Sequence, residues 1–75
     1  MSNIWRMTIG DRIVSLRSGK GLTQAELGEL CGWPDSRIGA YERNEVKKPK
    51  HASLIKLAEA FHMTYEEFMK GVDIV

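Results

Sequence analysis

Side chains equipped for proton transfer or nucleophilic attack are few in this 75-residue chain, and they are scattered. His51 and His62 stand eleven positions apart, outside any metal-ligand spacing, so no metal site is expected. Cys31 is the single cysteine. It cannot close an internal disulfide, which fits a reducing cytoplasm, and it falls on an apolar helical stripe, where a thiol packs rather than attacks. There is no nucleophile–base pair and no glycine-rich phosphate loop, so neither an enzyme nor a cofactor is expected. The remaining chemistry is that of hydrogen bonds and charge, and it gathers in residues 34–50, PDSRIGAYERNEVKKPK. That stretch holds five basic and three acidic groups, a net +2. Residues 1–33 hold four and three, a net +1, and residues 51–75 hold two and four, a net −2. An anionic partner would meet the middle of the chain, with the acidic end turned away.

Residues 34–43 read as a short helix. At about 100° per residue, Ile38 and Tyr41 fall on one side and face a core, with Glu42 near that side. Ser36, Ala40 and Arg43 cluster opposite, flanked by Arg37 and Asn44 on one edge and Gly39 on the other. A face with Ser, Ala and Gly at its centre lacks bulk. It permits close approach to a groove floor, while the basic chains at its rim reach phosphates or guanine edges. For an arbitrary helix, a solvated face is the ordinary reading. Lys47, Lys48 and Lys50 follow in a loop stiffened by Pro49, where they are placed for phosphate contact.

Four further elements must position this helix. Thr23 is an N-cap with Glu26 three residues on, a capping box, and Leu22 and Leu27 are spaced for the matching hydrophobic staple. Leu27, Leu30 and Cys31 form one apolar stripe. Gly32 suits a left-handed C′ position. Trp33-Pro34 stops the helix, and Pro34 suits the first turn of the next. Upstream, Thr8 and Asp11 cap a helix whose apolar face is Ile9, Ile13 and Leu16, with Arg12, Arg17 and Lys20 on or beside its polar surface. It ends at SGKGL. Downstream, Leu54, Leu57, Ala58 and Phe61 recur at helical spacing over 51–61, and His62 ends that helix. Thr64 and Glu67 box a last helix, with Met63 and Phe68 as its staple, and Gly71 marks its end.

The run TQAELGEL…GW…SRIGAYERN resembles the Cro/C1-type (XRE-like) helix-turn-helix family that includes the lambdoid phage repressors. Gly28, Gly32 and Ile38 occupy its small–turn–apolar positions, and the likeness spans roughly Thr8 to Gly71. Gly28 departs from the alanine usual there, at a helix-propensity cost of roughly 1 kcal/mol, yet still supplies the small side chain that the helix crossing needs.

The resemblance implies an all-α fold, a compact five-helix lambda-repressor-like domain. It implies a partly buried ion pair between Arg17 and Glu42, an expectation that the helical wheel supports by placing Glu42 near the core side. It implies base readout by Asp35, Ser36 and Ala40 with help from Arg37 and Arg43. It also implies phosphate contact by Thr23, Gln24, Arg43, Asn44, Lys47, Lys48 and Lys50, with Lys50 able to approach a minor groove. Gln24 would in addition support a side chain of the reading helix. Asp35 departs from the glutamine common in the family. It can accept from cytosine N4, cap the helix or be drawn aside by Arg37, and the cap role is favoured.

The expected organisation is an N-terminal arm over 1–7, the DNA-binding domain over 8–71 and a short apolar tail over 72–75. The tail would cover the last helix, join a dimer or begin a linker to a second domain. A bacterial or phage-encoded transcriptional regulator, probing double-stranded DNA as a homodimer on a two-fold operator, is the function this implies. An antitoxin or accessory subunit whose main partner is a protein is the alternative. No apolar run of about 18 residues is present, so no membrane span is expected.

Overall fold

The computed structural model describes residues 7–72. Five helices follow in order: α1 Ile9–Gly19, α2 Gln24–Cys31, α3 Asp35–Glu42, α4 His51–Ala60 and α5 Tyr65–Met69. The only extended pairing among the described residues is one isolated parallel bridge, Met7 to Val72, which brings the two ends of the domain together. Residues 1–6 and 73–75, which carry most of the expected arm and apolar tail, lie outside the described residues.

Three helices begin as their sequences dictate. Thr8 Oγ1 accepts from the Asp11 N–H at 3.0 Å while Asp11 accepts from the Thr8 N–H at 3.3 Å. Thr23 and Glu26 make the same reciprocal pair at 3.0 and 2.8 Å. Thr64 and Glu67 repeat it at 3.1 and 2.9 Å. Each box satisfies a backbone donor that the helix itself leaves free. α2 stops at Gly32, whose φ of 75° is left-handed, a conformation glycine adopts without strain. α4 stops at His62, also left-handed with φ 59°. The Met63 N–H then donates back to the Ala58 carbonyl at 2.9 Å, so it is the backbone turn at His62, rather than its imidazole, that closes the helix.

One boundary expectation and one burial expectation are corrected. Pro34 lies one position outside α3, as its N-cap with extended ψ of 157°, and no side chain caps this helix. Asp35 is therefore the first helical residue and not the N-cap, the position whose side-chain oxygen accepts from the N2 or N3 N–H. Its carboxylate takes no part in a cap, although its charge still favours the positive end of α3. Leu30 is the second correction: it is 58% exposed. The buried residues of α2 are Leu27, Gly28 and Cys31, and Leu30 is turned roughly 100° from the middle of that face.

The core gathers side chains from every helix: Ile13 of α1, Leu27 and Cys31 of α2, Ile38 and Tyr41 of α3, Leu54, Leu57 and Ala58 of α4, and Phe68 of α5, with Phe61 between the last two. Phe61 and Phe68 stack at 6.3 Å between centroids. Arg12 ties the first helix to the last, its Nε donating to the Phe68 carbonyl at 2.9 Å and Nη2 to the Glu67 carbonyl at 2.8 Å. Two glycines set how closely α3 and its neighbours approach. A Cβ on Gly28 would lie 2.5 Å from the Trp33 carbonyl oxygen, so even the alanine usual at this position would crowd the turn. A Cβ on Gly10 would meet the carbonyl oxygens of Glu42 and Tyr41 at 2.5 and 2.8 Å, so the start of α1 lies directly against the end of α3.

Candidate nucleic-acid interface

α3 is held from its inner side by a charged network. Glu42 accepts from Arg17 Nε at 2.6 Å, from Arg17 Nη2 at 3.1 Å and from Gln24 Nε2 at 2.8 Å. Arg17 Nη1 donates to the Leu22 carbonyl at 2.9 Å. The Arg17 and Glu42 side chains are only 19% and 8% exposed, and the hydrogen bond to Glu42 is the main reason the guanidinium holds its proton more firmly than usual. The expected Arg17–Glu42 pair is present, and one carboxylate thereby connects α1, the first turn of α2 and the last turn of α3.

The turn between α2 and α3 is filled by a second set of contacts. The Trp33 and Tyr41 rings stack at 5.6 Å, and the Arg37 guanidinium lies 3.9 Å from the Trp33 centroid. Arg37 Nη2 also donates to Ser53 Oγ at 3.2 Å. Arg37 thus joins α3 to α4 and leaves Asp35 alone; the pull of Arg37 on Asp35 considered above does not occur. Burial pushes the nearby Cys31 thiol up, against smaller opposite effects from Lys56 and Arg37, as suits a packing residue.

Asp35 and Ser36 are exposed on α3, with Ala40 half-buried. Gly39, on the edge of this face by the helical wheel, is buried instead. A Cβ there would lie 3.0 Å from Arg43 Nη1 and 3.7 Å from both polar atoms of the Gln24 carboxamide. Two side chains therefore converge over one bare stretch of α3 backbone, and glycine leaves the room for them. Gln24 donates inward to Glu42 through Nε2. Thr23 is exposed but its hydroxyl is engaged in the α2 capping box.

Arg43 is engaged as well. Its Nε and Nη2 donate to the two carboxylate oxygens of Glu45 at 2.9 and 3.2 Å, with both side chains more than half exposed. The hydrogen bond from Arg43 holds the Glu45 carboxyl below its ordinary range. Asn44 separates them in the left-handed conformation, φ 59°. Its Oδ1 accepts from the Gly10 N–H at 3.1 Å, so part of the Asn44 carboxamide caps α1 rather than facing outward. Lys47, Lys48 and Lys50 are exposed in the loop that follows, and Lys50 is the N-cap of α4, with no side-chain bond to that helix. Among the described residues no group of three or more His, Cys, Asp or Glu side chains is arranged to hold a metal ion, and no helix is long and apolar enough to cross a membrane.

Two short helices joined by a left-handed glycine, the second exposing Asp35 and Ser36 with Ala40 half-buried beside them and fixed by an inward ion pair, form a helix-turn-helix. The sequence matches the Helix-turn-helix family HTH_3 over residues 13–68. The chain belongs to this Cro/C1-type helix-turn-helix family. The fold of the domain is similar to that of the P22 c2 repressor, solved in complex with a synthetic operator, at 29% identity and TM-score 0.75, covering 87% of this chain and 97% of that one. It is also similar to the restriction-modification controller protein C.AhdI from Aeromonas hydrophila, at 33% identity and TM-score 0.74, covering 80% and 89%. SinR of Bacillus subtilis, a master regulator for biofilm formation solved with DNA, matches at 29% identity and TM-score 0.74, covering 83% and 98%. No curated protein matches the chain. In this helix-turn-helix domain, the residues that sequence reasoning missed are Glu45 and Ser53, while Trp33, expected only to stop α2, also stacks on Tyr41 and under Arg37. Only Asn44 carried a signal for one of them, since asparagine tolerates the left-handed turn that brings Glu45 back toward α3.

Proposed function

We propose that this protein is a sequence-specific double-stranded-DNA-binding transcriptional regulator of the repressor type, with α3 entering the major groove. The observation that carries the reading is the convergence of Gln24 and Arg43 over Gly39, on a helix anchored from behind by Arg17 and Glu42. Ser36 and Ala40 are the groove-facing side chains, able to bond a base edge and to touch a thymine methyl. Asp35, exposed and uncapping, is left to accept from a cytosine N4. Arg37 is committed to Trp33 and Ser53, and its share in recognition is to hold the start of α3 in place. Thr23, Gln24, Asn44, Lys47, Lys48 and Lys50 are assigned to phosphates, which position a protein on the duplex without reading it. That the P22 c2 repressor and SinR were each solved in complex with DNA supports DNA binding by this chain.

A second copy of the chain on a two-fold operator, with half-sites about 34 Å apart or a multiple of that, completes the proposal; the compartment is the cytoplasm, and no catalytic role is assigned. Selection of bound duplexes from a random pool at about 150 mM salt, where phosphate contacts alone are weakened, tests it. An enriched two-fold sequence is expected. A folded protein that enriches nothing would refute sequence-specific binding by the isolated domain and favour a protein partner for the helix pair.

Arg43→Ala provides an internal check. Loss of this guanidinium should weaken binding, and the slope of log affinity against log salt should fall by about 1 if the contact is to phosphate. Titration of the same duplex at several salt concentrations measures both. Unchanged affinity on specific and random duplexes alike would remove Arg43 from the interface.

A further inference from the structure

Arg43 and Glu45 are two positions apart, a spacing at which side chains do not meet on a helix. They meet here because α3 ends in a Schellman turn. The Glu45 N–H donates to the Ala40 carbonyl at 2.9 Å and the Asn44 N–H to the Tyr41 carbonyl at 3.0 Å, the paired bonds of that motif. Asn44 supplies its left-handed residue. The backbone of Glu45 is thereby locked beside the last turn of α3, and its carboxylate is presented to Arg43.

The edge of the guanidinium that Glu45 occupies matters. Glu45 takes Nε and Nη2, the side-on edge. The end-on edge, made of Nη1 and the second hydrogen of Nη2, has no hydrogen-bond partner among the described residues. Nη1 lies over Gly39, within reach of the same bare patch that Gln24 overhangs. An open end-on fork is the donor pair that matches guanine O6 and N7, and a guanidinium held along its other edge gives up little conformational freedom on binding.

We propose that Glu45 is a positioning residue for base recognition: it fixes Arg43 so that its end-on edge reads a guanine in the major groove. The assignment rests on the DNA-binding function proposed above. It also makes a prediction opposite in sign to simple charge. Glu45 is an anion near a polyanion, so its neutralisation would tighten binding to any duplex if the carboxylate merely repelled DNA or masked Arg43. A positioning role requires that specific binding weaken instead.

The test compares wild type, E45Q, R43A and the double variant R43A/E45Q on two duplexes, by fluorescence anisotropy at fixed salt. One duplex is the sequence recovered by the selection described above, and the other is a random sequence of equal length. The Arg43–Glu45 pair is exposed and such pairs contribute little to stability, so all four proteins should fold, which circular dichroism verifies. E45Q is expected to lose about tenfold on the selected duplex, within the range for one bidentate base contact, while holding or gaining affinity on the random one. The double variant should be no weaker on the selected duplex than R43A alone. Equal tightening of both duplexes by E45Q would overturn the positioning role in favour of masking. A loss of the same size with and without Arg43 would show that Glu45 acts elsewhere and overturn it too. If the selection yields an operator and E45Q binds it as wild type does, this proposal alone fails; if wild type binds no duplex, the DNA-binding reading fails with it.

Discussion

Glu42→Ala is expected to cost about 3 kcal/mol of folding stability, at the lower end of the range for breaking one partner out of a buried pair. The carboxylate accepts three hydrogen bonds from two side chains, and it is 8% exposed. Its removal leaves Arg17 with the Leu22 carbonyl and whatever water reaches a side chain that is 19% exposed. That residual access is why the loss should sit at the lower end. Gln24 loses the partner that holds its carboxamide over Gly39, so the variant should also bind DNA more weakly than its remaining stability alone would dictate. Urea unfolding gives the first quantity; a change below about 1 kcal/mol would mean that the charges are compensated by solvent and the network is incidental.

The second large effect is expected at a residue with no functional group at all. Gly10→Ala places a methyl 2.5 Å from the Glu42 carbonyl oxygen, 2.8 Å from that of Tyr41 and 2.9 Å from Asn44 Nδ2. Helix propensity favours alanine by up to about 1 kcal/mol. Overpacking a close contact typically costs about 1–3 kcal/mol and occasionally more, and here two of the three neighbours are backbone atoms that cannot rotate away. The Gly10 N–H to Asn44 bond is strained by the same shift. We expect the clash to win by about 2 kcal/mol, which for a domain of this size lowers Tm by roughly 8–16 °C. Thermal unfolding followed by circular dichroism checks it. An unchanged or higher Tm would show that α1 slides off the end of α3 at little cost. Gly28, whose Cβ would come within 3.0 Å of one backbone atom rather than two, is the milder case of the same constraint.

Much of the architecture was written locally. The three Thr-x-x-Asp/Glu boxes began α1, α2 and α5 where the sequence placed them, because a capping box depends only on residues three apart. Gly32 ended α2 for an equally local reason. The Arg17–Glu42 pair was legible from the family resemblance together with the helical wheel, which turned Glu42 inward. Helix ends and faces were less legible where the decision belonged to a neighbour. Leu30 has the apolar character and nearly the spacing of a core residue, but α2 buries a narrow face and leaves Leu30 in water.

Tertiary structure alone decided what the polar side chains of the interface do. The basic and small residues of 34–50 pointed to a groove-binding surface because their types and net charge are properties of the chain itself. The diversion of Arg37 to Ser53 and the use of Asn44 to cap α1 depend on atoms 16 and 34 positions away, whereas the edge of Arg43 left open is set nearby, by the turn that presents Glu45. A flexible cation or carboxamide has several partners within reach of its stem, and sequence spacing cannot rank them. Packing ranks them, by fixing the backbones that carry the partners before the side chains choose.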